Sequence, residues 1–448
     1  MPNASSSAPP ALFGTDGVRG VAGEFLGADL ALSLGRAAAA MSPAEAPQVL
    51  IIRDTRESGQ MLEAALAAGV AAAGGHALLG GVLPTPGAAL LVRRYGFDLA
   101  AVVSASHNPY RDNGIKFFGP DGTKISDEQE ETIEAIVAGI EPLAQRAPGR
   151  VRELHGAAGD YLRELELRFR DLDLSDRKVL VDCAHGATYR VAPEILRRLG
   201  ADVHSVAADP DGRNINHGCG STHVESLAAA VVEGGHDLGF AFDGDGDRVL
   251  AVDRGGKVVD GDELIALAAL HLCAAGRLTG NGVAVTVMTN YGFHTAMSDA
   301  GVEVAITPVG DRNVLSELLA RGWTLGGEQS GHIIDTGFVP SGDGVAAALL
   351  TLEALGPDGD LADRKGMEKL PQRLVNVRVS DRGALEGADA VWRAVEAESA
   401  ALDGRGRVLV RPSGTEALVR VMVEAPDEAE CEGITARLVG VVERELAT

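Results

Sequence analysis

The chain has 448 residues, too many for one ordinary hydrophobic core, and at ~100–200 residues per domain it predicts three or four domains. Hydrophobic residues make up 46% and charged residues 23%, the balance of a folded, water-soluble protein rather than a disordered one. Asp and Glu outnumber Lys and Arg by 64 to 40, and the resulting net charge of -24 repels a phosphate backbone, which excludes nucleic acid as a partner. The same excess would repel a small phosphorylated ligand, so any such ligand needs basic side chains and backbone N–H groups concentrated in one cleft. Four widely spaced cysteines, Cys183, Cys219, Cys273 and Cys431, form no C-x-x-C pair. That argues against a disulfide framework and a zinc site and fits a reducing cytoplasm.

In chain order, the opening "MPNASSSAPPALFG" has neither a charged n-region nor an apolar core. It reads as a short disordered tail rather than a signal peptide. No apolar run approaches the ~18 residues of a membrane span, so no membrane partner is expected.

Three segments then repeat one order of elements. Each begins with a β-branched run: "QVLIIRDTRESG" from Gln48, "KVLVDCAHGATYR" from Lys178 and "GVAVTVMTNYGF" from Gly282. Each continues into an Ala/Leu-rich helical stretch ending at a glycine, and then a second short strand: "HALLGGV", "DVHSVAA" and "VEVAITPV". Strand, helix, strand at this spacing is a βαβ unit with parallel strands. "DLAAVVSASHNP" from Asp98 lies on "DLGFAFDGDGDR" from Asp237 without a gap, which puts Ser106 on Asp245. "WTLGGEQSGH" from Trp323 takes the corresponding place in the third unit, although its strand match is poor.

After each of these loops comes a hairpin-like stretch and a helix. Past about residue 368 the pattern changes to strand, helix ("ALEGADAVWRAVEAESAAL"), hairpin ("GRVLVRPSGTEALVRVMVEA") and a final helix. The predicted fold class is therefore α/β: three related domains with mixed, partly parallel sheets, followed by a smaller C-terminal α+β domain. The boundaries fall at 1–157, 158–255, 256–367 and 368–448. Open α/β sheets carry their sites on loops at strand ends, so the polar loops of the repeat are the candidates.

"DGDGDR" places Asp243, Asp245 and Asp247 at alternate positions, on one side of an extended segment. Three close carboxylates raise one another's pKa unless a cation sits among them, and an all-oxygen set favours Mg²⁺ or another hard divalent ion over an exposed acidic turn. An EF-hand is excluded because its Gly and Glu positions hold Arg248 and Arg254. The carboxylates leave an octahedral shell incomplete, and a phosphate would supply further oxygens.

"RPSGTE" combines a guanidinium, two hydroxyls and a glycine, and Arg420 follows in the next strand. That chemistry suits a phosphate cradle and equally an ordinary hairpin turn. "GGEQSGH" offers donors and acceptors suited to sugar hydroxyls, or simply a polar turn. Ser106 reads as a turn serine, a hydrolase nucleophile or a phosphoryl carrier. The elbow G-x-S-x-G is absent, and His107, its immediate neighbour, would not face the hydroxyl in an extended segment. The adjacent metal-binding loop favours phosphoryl transfer, with Lys116 as a cation or acid/base.

Taken together, "FGTDGVRG" (13–20), "SASHNPYRDNGIKFF" (104–118), "NINHGCGSTH" (214–223), "DGDGDR" (243–248), "TPVGDRNV" (307–314), "GGEQSGH" (326–332) and "RPSGTEALVRVMVE" (411–424) resemble the α-D-phosphohexomutase superfamily. Within it the chain is most similar to the bacterial phosphoglucosamine mutases, chiefly through the Gln of "GGEQSGH" and through "NINHGCGSTH". Ala417, where the family usually has Pro, and "MTNYG" for the commoner "MSNLG" are the departures, and neither removes a catalytic group.

The resemblance implies four domains around one cleft and an isomerase that interconverts glucosamine 6-phosphate and glucosamine 1-phosphate, supplying UDP-N-acetylglucosamine and cell-wall synthesis. Ser106 would be the phosphoserine. Asp243, Asp245, Asp247 and the Ser106 phosphate would hold one Mg²⁺. His107, Lys116, Arg19 and Arg248 would surround the reacting phosphate. Glu328 and Ser330 would bind sugar hydroxyls, with Gln329 and His332 nearby, and Arg411, Ser413, Gly414, Thr415 and Arg420 would clamp the other phosphate. The resemblance also implies a cytoplasmic homodimer, a 1,6-bisphosphate intermediate and glucosamine 1,6-bisphosphate as a primer. Phosphomannomutase or phosphoglucomutase activity is the alternative within the class, and a non-catalytic sugar-phosphate-binding protein the alternative outside it.

Overall fold

The computed structural model describes residues 12–139, 146–413 and 417–447. Most of the opening tail, together with Gly414 and Thr415, lies outside the described residues. The chain divides into two compact units, Met1–Val287 with Ala305–Lys365, and Met288–Val304 with Gly366–Thr448.

In the first unit, the first sheet has six strands in the order Val18–Val21, Asp112–Phe118, Leu99–Val103, Gln48–Arg53, His76–Val82, Val151–Glu153. The strands from Gln48, His76 and Leu99 are parallel, as the βαβ pattern requires, and the strand from Asp112 returns antiparallel. The central strand Leu99–Val103 is buried throughout, so its near-continuous apolar run reflects cover on both faces.

The second sheet repeats this plan. Lys178–Asp182 lies between the parallel strands Asp202–Val206 and Leu238–Phe242, and Val249–Asp253 returns antiparallel. The alignment of Asp98 with Asp237 has a physical counterpart. Each carboxylate accepts the backbone N–H that opens the first strand of its βαβ unit, Asp98 from Gln48 at 2.8 Å and Asp237 from Lys178 at 2.7 Å.

In the third sheet Leu325–Gly327 runs parallel to Gly282–Thr286, and Ile333–Asp335 returns antiparallel. That central strand is only three residues long, which is why its sequence matched the other repeats poorly. After the return strand each repeat opens a helix on a capping side chain: Ser126 for Asp127–Val137, Asp260 for Gly261–Ala274 and Asp343 for Gly344–Leu355. Among the described residues no helix is long and apolar enough to cross a membrane.

The second unit is α+β. Leu418–Glu424 is the middle strand of an antiparallel sheet, between Gln372–Arg378 and Arg407–Pro412. Helices Asp389–Leu402 and Glu428–Leu446 bury Val391, Leu402, Ile434, Leu438 and Val442 against Val419, Val421 and Val423. The first of these helices starts later than its Ala/Leu pattern suggests, because the preceding Arg382–Leu385 forms a separate 3-10 turn. Helix Tyr291–Asp299 belongs to this unit as well. The Tyr291 N–H donates to Glu424 at 3.2 Å, and Arg407 joins Glu424 to the Thr289 carbonyl.

Candidate active site

Ser106 leaves the end of the central strand of the first sheet with φ 50°, the left-handed region that costs an L-residue about 1–2 kcal/mol. This turn corrects the extended geometry expected from sequence. It brings the His107 ring to 3.4 Å from the Ser106 hydroxyl, where alternation alone would have turned it away. Ser106 is 2% exposed and donates its hydroxyl to Asp243 Oδ2 at 2.5 Å. The two aligned loops touch directly. A Cβ on Gly244 would lie 2.5 Å from the Ser106 carbonyl oxygen, so no residue with a side chain fits there.

The carboxylates of Asp243, Asp245 and Asp247 come within 4.8 Å of one another, all buried. They converge through a turn with Gly246 at φ 72° rather than through an extended segment. At such separations each like-charge pair costs roughly 3 kcal/mol at an effective dielectric of about 20. Lys116, 2% exposed, partly offsets this with its Nζ 2.9 Å from Asp245, 3.2 Å from Asp16 and 3.9 Å from Asp247.

The pKa values separate accordingly. Burial, then Asp247 and Asp245, push Asp243 well above the carboxylate range. Burial acts the same way on Asp245 but is overridden by Lys116 and by hydrogen bonds, including one from Thr85 at 2.7 Å, so its pKa falls. For Lys116, burial is outweighed by Asp16, Asp245 and Asp247, and the ammonium is held charged. Asp245 Oδ1 and Asp247 Oδ1 are buried with no hydrogen-bond partner among the described residues. Orphaned oxygens in an all-carboxylate set fit a hard divalent cation, and this acidic triad is able to bind a metal.

Beside the triad is a cavity of about 720 Å³, within the size range of small-molecule sites. Arg19, His107, Arg248, Arg312 and His332 line it together with eight carboxylates, Asp247 and Glu328 among them, so basic groups are present but the local excess of them expected from sequence is not found in this lining. The Arg248 Nε is buried without a hydrogen-bond partner among the described residues. Burial, then Arg248 and Arg19, lower the His107 pKa, which keeps the imidazole neutral at neutral pH. His332 is raised, because Asp247 at 3.6 Å and Asp311 at 3.9 Å outweigh its burial. Glu328 Oε1 accepts the Gly310 N–H at 3.0 Å. Gln329 instead turns to Asp260, donating at 3.2 Å, and Ser330 is exposed on the same loop.

In the second unit Arg411 and Arg420 are cross-strand partners, with Ser413 buried close by. Burial and the neighbouring Arg420 lower the Arg411 pKa, and the Arg420 Nε is buried without a hydrogen-bond partner among the described residues. Two adjacent guanidiniums with an unspent donor suit an anion.

The comparisons with known proteins agree over the whole chain. Four models of the phosphoglucomutase/phosphomannomutase family match in order: alpha/beta/alpha domain I over residues 10–143, domain II over 159–256, domain III over 260–373 and the C-terminal domain over 374–441. A phosphoglucosamine mutase from Desulforudis audaxviator is 50% identical over 440 residues, covering 96% of this chain and 98% of its own. The chain belongs to the phosphoglucosamine mutase family.

A second member, from Mycolicibacterium paratuberculosis, is 48% identical over 441 residues, 96% of this chain and 98% of its own. Among solved structures, a phosphoglucomutase/phosphomannomutase family protein from Burkholderia thailandensis superposes with a TM-score of 0.82 at 25% identity, over 98% of this chain and 99% of its own. The N-acetylphosphoglucosamine mutase of Aspergillus fumigatus, solved with GlcNAc-6P and magnesium, shares the fold at a TM-score of 0.68 and 18% identity, over 97% and 96% of the two chains.

This member of the family also uses residues that the sequence reading gave no role. Asp16 bridges Lys116 and Lys124, and Lys124 continues to Asp311 at 2.6 Å. Arg312 pairs with Asp127 and Glu130 at the cavity wall. Asp16 lies in "FGTDGVRG" and Asp311 and Arg312 in "TPVGDRNV", motifs already singled out, which were the available signal, whereas Lys124, Asp127 and Glu130 lie outside both. Thr85 and Arg56 carried no such signal.

Proposed function

We propose that this isomerase interconverts glucosamine 6-phosphate and glucosamine 1-phosphate with Ser106 as the phosphoryl carrier. The observation that carries the reading is the Ser106 hydroxyl 2.5 Å from Asp243, inside a carboxylate triad whose Asp245 holds the buried Lys116. Phosphorylated Ser106 gives its phosphoryl group to O1 of the 6-phosphosugar. The P–Oγ bond breaks as the P–O1 bond forms, and the product is a bound 1,6-bisphosphate. After the sugar turns over, its 6-phosphoryl group returns to Ser106 and glucosamine 1-phosphate leaves.

Lys116, held protonated, would neutralise the departing serine oxygen, and neutral His107 would accept the proton lost from the sugar hydroxyl. Arg19 and Arg248 would stabilise charge on the transferring group. Asp243, Asp245 and Asp247, with the Ser106 phosphate, would hold Mg²⁺, which supplies electrostatic stabilisation to the phosphoryl oxygens when bound. Glu328 and Ser330 would bind sugar hydroxyls, with Gln329 and His332 beside them. Arg411, Ser413, Gly414, Thr415 and Arg420 would take the sugar's other phosphate.

The functional segments in this reading are 1–157 for the phosphoserine loop, 158–255 for the metal loop, 256–367 for the sugar loop and 368–448 for the phosphate loop. The same reading places a homodimer in the cytoplasm, primed by glucosamine 1,6-bisphosphate. Side-by-side rates on glucosamine, glucose and mannose 6-phosphates with Mg²⁺ should favour glucosamine. Ser106→Ala should abolish turnover and remove the phosphorylated species from the intact mass spectrum. Wild-type-like turnover by that variant refutes the mechanism, and preference for another sugar refutes the substrate.

A further inference from the structure

Arg56 follows strand Gln48–Arg53 of the first sheet, in the run "RDTRESG", and its guanidinium is completely buried. Its Nε donates to Asp54 Oδ2 at 2.8 Å. Its Nη2 donates to the carbonyls of Ser106 and Asn108, each at 2.9 Å. Its Nη1 donates to the carbonyls of Pro109 at 2.5 Å and Asp112 at 3.0 Å. A guanidinium offers five N–H donors in a rigid planar fork, and here one carboxylate and four carbonyls of the Ser106 loop take them all.

Asp54 closes a ring around the same serine. It accepts the Ser104 hydroxyl at 2.6 Å, and the Ser104 oxygen in turn accepts the Ser106 N–H at 3.0 Å. From the second sheet's domain, Asn216 Nδ2 donates to the Ser106 and Asn108 carbonyls at 2.9 and 3.0 Å. The loop thus has its backbone held by charged and amide donors that do not line the cavity. A serine at φ 50° persists only where its surroundings over-determine it, and these donors do so.

We infer that Arg56, with Asn216 beside it, is a positioning residue for phosphoryl transfer: its fork holds the Ser106 loop in the left-handed turn that aims the serine oxygen at Asp243. The inference rests on the reading of Ser106 as the phosphoryl carrier. A lysine keeps the charge beside Asp54 but cannot reproduce the fork, so Arg56→Lys separates geometry from charge. Because neither residue lines the cavity, loss of aim should lower kcat and leave KM for the sugar phosphate within about twofold.

The experiment measures kcat and KM of wild type, Arg56→Lys and Asn216→Gly, primed with bisphosphate and saturated with Mg²⁺, with near-UV circular dichroism as the measure of folded protein. Arg56→Lys is expected to lose about 100-fold in kcat, the scale of a 1 Å misplacement of a reacting group. Asn216→Gly deletes both amide donors while glycine accepts the φ of 58°, and about 10-fold loss is expected. A folded Arg56→Lys with wild-type kcat overturns the inference, as does a kcat loss that only tracks loss of folded protein. Should Arg56→Lys fail to fold, Asn216→Gly decides in the same way. Turnover by Ser106→Ala would remove the underlying carrier reading instead, whereas an inert Ser106→Ala beside a fully active Arg56→Lys removes only the positioning role.

Discussion

The loops at 104–109 and 243–248 leave equivalent strands of neighbouring domains and align without a gap, yet the protein treats them in opposite ways. The first has its carbonyls held by Arg56 and Asn216, and its Ser106 hydroxyl is aimed at Asp243 and satisfied. The second gathers three buried carboxylates beside the Lys116 ammonium, with the Arg248 Nε 3.9 Å from Asp247, and leaves Asp245 Oδ1 and Asp247 Oδ1 without a hydrogen-bond partner among the described residues. One loop is finished by the chain itself. The other keeps unspent carboxylate oxygens that suit a hard cation, and without one burial and the neighbouring carboxylates push Asp243 toward its protonated form. On the proposed mechanism a duplicated scaffold divides the labour of group transfer, with the carrier atom fixed in one copy and the charge compensation left open in the next.

The contrast breaks most readily at Lys116, the buried ammonium that the return strand of the first sheet presents to the second loop. Lys116→Met should reduce kcat by about 10²–10⁴-fold, the range expected for loss of an acid/base or charge-neutralising group, in steady-state assays at saturating Mg²⁺. The same variant should melt below wild type without Mg²⁺, since Asp16, Asp245 and Asp247 all lose their buried partner. An unchanged rate would mean that the ammonium only stabilises the fold.

Adding the missing cation should sharpen the contrast. If the second loop is incomplete without it, Mg²⁺ at a thousandfold excess over its Kd should stabilise the protein by about 4 kcal/mol, read as a rise in Tm on calorimetry. The rise should be larger in Lys116→Met and should shrink in Asp245→Asn. A Tm indifferent to Mg²⁺ in all three proteins would mean that the triad is not a cation site.

A buried carboxylate in the third repeat supplies the control. Asp343 caps helix Gly344–Leu355 and accepts the Tyr161 hydroxyl at 2.9 Å, and burial pushes its pKa up to about 6. Because the folded pKa exceeds the unfolded value of about 3.8, the native state holds the proton more tightly. Its stabilisation is complete below pH ~4 and is lost as pH rises through 6. Asp343→Asn keeps a capping residue and should remove about 3 kcal/mol of pH dependence from the difference in unfolding free energy between pH 4 and 7. A difference curve flat in pH would mean that Asp343 titrates normally.

Much of this was legible in the sequence because its signals are local. Parallel βαβ units follow from β-branched runs spaced by helices, and the Asp98 and Asp237 alignment survived into matching strand caps. Ser106, His107, Lys116 and the aspartates were visible because glycines, carboxylates and a Ser-His pair break an apolar strand. Arg56 was not visible. In sequence it is one more polar residue after a strand, and its role arises from carbonyls 50 to 56 residues away. Thr85, a helix-start residue by pattern, likewise gains its meaning only from Asp245, 160 residues on.

By itself, then, the sequence determined the fold class, the repeat and the chemical inventory of the loops, since hydrophobic periodicity and residue type are properties of short windows. Only the tertiary structure decided which protonation state each group carries and where each points. The left-handed turn at Ser106 that brings His107 alongside, the opposite pKa shifts of Asp243 and Asp245, and the five-donor clasp of Arg56 all depend on burial and on partners distant in the chain. Electrostatic energy inside a protein is set by distance and solvent exclusion, and neither quantity exists until the repeats have packed together.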